Sequence, residues 1–271
     1  MDYWTRRLNA RVTGNGSRTI VFGHGLGTEQ GCWRRQIEAL PDEYRVVTLD
    51  FPGATAATLA AFDPGRHASL FGFAEDLSLL MQELGVRGAT YVGHSMGGMA
   101  GILTANGCPG VFGAVITLGA SACYLDDPKT GYIGGFTRTA LEALLREMRA
   151  DFAAWANGFA SAMVGESNRY LSAYEFTQML LQLRVDVASA ALNATLNSDH
   201  RSDVDELSTP LFVIAPRHDP AVPPPAARWL AQHGGAQRML DIDAHGHLPH
   251  LTAPEKVNGA LLECLREIDR A

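Results

Sequence analysis

Four short apolar runs, at residues 19–22, 45–49, 90–92 and 114–118, most tightly limit what this chain can fold into. Each is rich in β-branched or aromatic residues and is bounded by Gly, Pro or Asp. A strand with one wet face alternates apolar and polar side chains. Nearly continuous runs therefore mark strands covered on both faces, as in parallel sheets. Between them, residues 29–40, 70–85 and 96–107 carry apolar positions at helical spacing, and Leu70, Phe73, Leu77, Leu80 and Leu84 form one stripe. Strand and helix in alternation predict an α/β fold with a mostly parallel central sheet flanked by helices.

The alternation stops between residues 126 and 199. There, 137–150, 152–164, 173–183 and 185–197 read as four amphipathic helices, with polar joints such as Gly165-Glu166-Ser167-Asn168. A wholly helical insert in an alternating chain predicts a lid at 126–199, borne on a core made of residues 1–125 and 200–271. Strand and helix resume with a strand at 211–215, a helix starting near Pro223, a strand at 238–241 and a closing helix at 253–268. Near the start, Gly14-Asn15-Gly16-Ser17 separates residues 8–13 from 19–22, which predicts an antiparallel hairpin at the sheet edge.

Composition narrows the partners. With 46% hydrophobic residues in 271, the chain can fill one large core. A formal charge of -7 and the lack of any Lys/Arg run argue against a nucleic-acid or anionic-membrane binder, leaving a small or neutral partner. The opening Met1-Asp2-Tyr3-Trp4-Thr5-Arg6-Arg7 does not read as a signal peptide. No apolar stretch approaches the ~20 residues of a membrane span. Cys32, Cys108, Cys123 and Cys264 form no C-x-x-C pair, and read as thiols of a reducing, cytoplasmic compartment.

The chemistry gathers around Gly93-His94-Ser95-Met96-Gly97, which follows one apolar run and opens a helical stretch. This is G-x-S-x-G in the strand–turn–helix setting the motif needs. A strand that turns sharply into a helix strains the central residue and leaves no room for flanking side chains. It lifts the serine above the sheet at a helix N-terminus, where negative charge is favoured. A serine hydroxyl needs a base to take its proton, and on such a fold acid and histidine follow the serine in that order. Asp219 stands just past the strand at 211–215, and His247 in the loop after 238–241. His245 is the main rival for the base, with His250 also near, and Asp126 or Asp127 for the acid. The histidine cluster lacks a second group with matching metal-ligand spacing, so no metal is expected.

Phe22-Gly23-His24-Gly25-Leu26-Gly27 follows another buried run. As a dinucleotide fingerprint it fails, because Thr28 stands where the third small residue belongs. It reads instead as a loop whose Leu26 amide, with that of Met96, forms an oxyanion hole. The insert supplies Phe136, Phe152, Trp155, Phe159, Tyr170, Tyr174 and Phe176, with Trp155 and Phe159 four apart on one helix face. An apolar substrate pocket is expected from His24, Leu26, Tyr124, Phe136, Trp155, Phe159 and Leu248.

These residues resemble the α/β-hydrolase superfamily, and within it the RsbQ-type bacterial stress regulators and the plant strigolactone and karrikin receptors. The similarity runs from about Leu8 to Ile268. Beyond residues 93–97 it rests on Cys123-Tyr124-Leu125-Asp126-Asp127-Pro128, Gly134-Gly135-Phe136, Ser198-Asp199-His200-Arg201 and Gly246-His247-Leu248-Pro249-His250. The resemblance implies an α/β-hydrolase fold with a four-helix lid over a closed apolar cavity. It implies Ser95, Asp219 and His247 as the triad, no cofactor, and slow action on small hydrophobic esters, lactones or butenolides. Several members pass a signal to a regulatory protein, so docking of such a partner at the lid is the alternative function. Leu26 stands where an aromatic is common in that family, and Ala54-Thr55-Ala56-Ala57 replaces a Gly/Ser-rich loop.

Overall fold

The computed structural model describes residues 2–165 and 169–270, and only the backbone of 169–171. Among the described residues, seven strands form one sheet: β1 (Arg11–Thr13), β2 (Arg18–Gly23), β3 (Tyr44–Thr48), β4 (Ala89–His94), β5 (Phe112–Leu118), β6 (Leu211–His218) and β7 (Arg238–His245). Their order is β1-β3-β2-β4-β5-β6-β7, with every pair parallel except β1 with β3.

The predicted hairpin does not form. β1 is antiparallel, but to β3, with Val12 opposite Val47. β2 takes β3 on one side and β4 on the other, so it has no free edge to offer its neighbour in sequence. The turn after β1 passes over the start of β3, where the Arg18 amide donates to the Glu43 carbonyl at 3.4 Å. Leu8, read as the start of that strand, instead closes the short helix α1 (Tyr3–Arg7) and is fully buried.

The continuous apolar runs behave as a doubly covered sheet requires. Ile20, Phe22, Val46, Val92, Ile116 and Ile214 point to one buried cluster, while the intervening Val21, Val47, Tyr91, Val115 and Val213 point to the other. One residue of slip would exchange the two faces everywhere, so the pairing is strongly specified. The second cluster is closed by α3 (Leu70–Glu83) and α4 (Met96–Gly107), through Leu70, Leu77, Met99 and Ile102. The first cluster also takes in Trp33, just ahead of the single turn α2 (Arg34–Ile37).

Among the described residues, the insertion after β5 carries α5 (Arg138–Ala150), α6 (Phe152–Val164), α7 (Arg169–Leu181) and α8 (Val185–Leu196), ahead of the short α9 (Arg201–Asp205) and β6. Thr137 and Asp151 cap α5 and α6, their side chains accepting from the Ala140 and Ala154 amides. Leu141, Leu145, Trp155, Ala160 and Leu192 face the first cluster, which joins the insertion to the sheet. Of the polar joint at 165–168, residues 166–168 lie outside the described residues, as does the side chain of Tyr170. The chain ends through α9 (Arg201–Asp205), α10 (Pro224–His233), α11 (Pro249–Thr252) and α12 (Pro254–Ile268). No helix among the described residues is long and apolar enough to cross a membrane.

Candidate active site

Ser95 sits at the step from β4 to α4 with φ 53° and ψ -122°, a backbone state that costs a side-chain-bearing residue about 1–3 kcal/mol. The surroundings hold it there. Its amide donates to the Leu118 carbonyl at 3.0 Å, and its carbonyl accepts from the Gly98 amide at 2.9 Å. The flanking glycines are required by contact. A Cβ on Gly93 would stand 2.6 Å from the Gly97 carbonyl oxygen, and one on Gly97 would stand 2.3 Å from that of His24. Both obstacles are backbone, so neither can swing aside. Gly97→Ala is accordingly expected to destabilise the protein by about 1–3 kcal/mol. Differential scanning fluorimetry checks this, and a wild-type melting temperature would contradict the packing described.

The structure brings three distant residues together. His247, in the loop between β7 and α11, has Nε2 2.9 Å from Ser95 Oγ. Its Nδ1 lies 3.0 and 2.9 Å from the two oxygens of Asp219, just beyond β6. Asp219 Oδ1 also accepts from the amides of Ala221 (2.8 Å) and Val222 (3.1 Å), which fixes the carboxylate plane. A carboxylate can only accept, so Nδ1 carries the hydrogen and Nε2 is left free to accept from the serine. All three side chains are buried.

The loop bearing His247 is held at both ends of one residue. The His247 amide donates to the Met163 carbonyl of α6 at 2.6 Å, and His94 Nε2 donates to the His247 carbonyl at 2.7 Å. His94, His247 and His250 form a buried cluster of tilted rings, with ring centres 4.8 and 4.5 Å from His94. Burial, with the neighbouring histidines, keeps His94 well below the ordinary histidine range and pushes His250 down to about 3. Both are therefore neutral near pH 7, so neither opposes a positive charge on His247.

The rivals named from sequence lie elsewhere. His245 ends β7, exposed, with its ring stacked on His218 at 4.3 Å. Asp126 accepts from the Gly134 and Gly135 amides, and Asp127 pairs with Arg201. Neither approaches His247. Among the described residues, no group of three His, Cys, Asp or Glu side chains is placed to hold a metal ion.

A cavity of about 30 Å³ opens over Ser95 and His247. Leu26, Tyr124, Phe136, Phe159 and Leu248 line it. His24 and Trp155 do not. His24 is turned away behind Leu26, where it borders a separate apolar void of about 20 Å³ with Phe51, Met96 and Val187. Trp155 is stacked between Phe152 and Phe159 at 5.7 and 4.7 Å, and faces an outer groove between α5 and α6. Phe136, Phe159 and Met163 border both that groove and the cavity, so they form the wall between them.

Met163, Phe176, Leu192, Thr195 and Leu196 also line the cavity, and only Phe176 was among the aromatics noted in the sequence. The others occupy helix positions whose apolar spacing reads as packing. Tyr124 does more than line the wall: its hydroxyl lies 3.3 Å from Ser95 Oγ. Burial pushes this phenol well up, so it remains protonated and donates to the serine oxygen while the serine donates to His247. Among the described residues, the amides of Leu26 and Met96 have no acceptor. Met96 opens a helix, where no carbonyl lies a turn behind it.

Residues 20–260 match the family model described as the alpha/beta hydrolase family. The chain belongs to that family. This hydrolase-family chain is similar over its length to the karrikin insensitive 2 receptor CA of Petunia hybrida, at 34% identity across 94% of each chain. It is likewise similar to the strigolactone esterase RMS3 of Pisum sativum, at 34% identity across 91% of this chain and 92% of that one. Among solved structures, a hydrolase of Oleispira antarctica, olei00960, superimposes with a TM-score of 0.93 at 25% identity, covering 98% of this chain and 97% of the other.

Proposed function

We propose that this protein is a serine hydrolase that cleaves small hydrophobic esters or lactones through an acyl-enzyme intermediate. The observation that carries the reading is the relay from Ser95 Oγ to His247 Nε2, at 2.9 Å, and from Nδ1 to Asp219, at 2.9 Å. The apolar wall around it supports an apolar substrate, and relatives named as an esterase and a receptor fit the same range of ligands.

Ser95 Oγ attacks the carbonyl carbon and its proton passes to His247 Nε2. Asp219 holds the imidazole in the accepting tautomer and stabilises the imidazolium. The carbonyl oxygen, now negative, is met by the amides of Leu26 and Met96, at the positive end of α4. His247 then gives its proton to the departing alkoxide, leaving Ser95 acylated. Water, deprotonated by the same His247, attacks the acyl carbon, and collapse returns the proton to Ser95 and frees the acid. Every proton taken is given back, so no cofactor is consumed.

Residues 126–199 act as the lid on a core of 1–125 and 200–271. A 30 Å³ cavity holds about two water molecules and no ester, so the helices or the Phe136, Phe159 and Met163 wall must shift to admit substrate. The four cysteines are unpaired, which suits the cytoplasm. That near-closed cavity also favours a second reading, a ligand sensor that turns over slowly and docks a regulatory protein on the lid. Rapid steady-state hydrolysis of its natural ligand would exclude the sensor.

A fluorophosphonate probe is expected to label this protein once, on the peptide carrying Ser95, as read by mass spectrometry. Labelling of another serine, or none, would remove the assignment.

A further inference from the structure

The carbonyl of Gly25 is where three donors converge. His24 Nδ1 lies 2.8 Å from it, Thr28 Oγ1 3.0 Å, and the Thr28 amide 3.3 Å. The histidine tautomer follows from its other nitrogen. The Phe51 amide donates to His24 Nε2 at 2.8 Å, so the ring hydrogen sits on Nδ1 and points at the Gly25 oxygen. His24 and Thr28 are both buried, which keeps water from competing for that oxygen. Three donors are more than one turn carbonyl needs for its own satisfaction.

The other side of the same peptide explains the arrangement. In a planar trans peptide the carbonyl and the next amide point in opposite directions, so fixing the Gly25 oxygen fixes the Leu26 N–H. That amide has no acceptor among the described residues, and Leu26 lines the cavity containing Ser95. Gly25 itself passes so close to the nucleophile that a Cβ there would stand 3.2 Å from Ser95 Cβ. Bonds to the carbonyl also draw electron density from the amide, making it a better donor.

We infer that Thr28 and His24 are positioning residues that pin the Gly25–Leu26 peptide from behind, so that its amide meets the oxyanion formed at Ser95. This rests on the serine-hydrolase reading above and adds to it the residues that hold one oxyanion donor in place. The hydroxyl of Thr28 is the part that can be removed with least disturbance, because valine keeps its shape.

The test is steady-state hydrolysis of p-nitrophenyl acetate by Thr28→Val, Thr28→Ser and Ser95→Ala, with inhibition by an aryl trifluoromethyl ketone, which places an oxyanion in the same position. Thr28→Val is expected to lower kcat about tenfold with KM within about twofold. Its inhibition constant for the ketone should rise about as much as kcat/KM falls. Thr28→Ser, which keeps the donor, should stay within about threefold of wild type. If Thr28→Val does not fold, Thr28→Ala supplies the same loss of the hydroxyl and is read in the same way. An unchanged kcat without the hydroxyl overturns the inference, as does an equal loss in Thr28→Ser or a loss confined to KM. Ser95→Ala separates the two levels. If it is inactive while Thr28→Val is fully active, only the peptide clamp is wrong; if it retains activity, the hydrolase reading falls and the clamp with it.

Discussion

Ser95→Ala should reduce hydrolysis of p-nitrophenyl acetate by about ten-thousandfold or more, to the level that binding and oxyanion donors alone can support. The protein should stay folded. Alanine keeps the Cβ and the same strained backbone, so the step from β4 to α4 is no more costly than before. What is lost is the hydroxyl that joins Tyr124 to His247, which leaves two buried polar groups with one partner fewer. At about 1–2 kcal/mol, that amounts to a few degrees in melting temperature for a chain of this size. Activity within tenfold of wild type would mean that another group attacks the substrate.

Asp219→Asn should cost nearly as much, about a thousandfold to ten-thousandfold in kcat, through a single hydrogen. The amides of Ala221 and Val222 both donate to Oδ1, so the asparagine carbonyl must take that position. Its NH2 group then falls at Oδ2, 2.9 Å from His247 Nδ1, and presents a donor where the imidazole now needs an acceptor. Only Oδ1, at 3.0 Å and already shared by two amides, is then left to hold the Nδ1 hydrogen. This favours the tautomer with its hydrogen on Nε2, which can no longer accept from Ser95. Shape is conserved, so the melting temperature should move little while kcat collapses. Stopped-flow or steady-state kinetics beside calorimetry will show whether the two separate. A variant keeping a tenth of wild-type kcat would assign the acid elsewhere.

The local physics of the chain was legible in advance wherever it did not depend on distant partners. Continuous apolar runs named the buried strands because both faces of the sheet are covered. The spacing around Ser95 named the sharp turn because two backbone contacts exclude any Cβ at Gly93 and Gly97. What a run of residues cannot show is which edge it will find. Residues 11–13 and 18–23 have good turn chemistry between them, yet β2 is taken on both sides by β3 and β4.

The pocket shows the same limit. Trp155 and Phe159 share a helix face, but four residues place them about 6 Å apart along the axis, and the cavity is too small to receive both. His24 lies one residue from a glycine that touches the nucleophile, and still faces the opposite way. Its ring is held between the adjacent Gly25 carbonyl and the Phe51 amide, and the second of these, 27 positions distant, has no local signal.

The bond between the His247 amide and the Met163 carbonyl ties the general base to the roof above it. A roof that rose to let a molecule in would take Met163 with it and slacken the imidazole's backbone. On the proposed mechanism, the form open to ligand would then differ from the form in which the base is held firm.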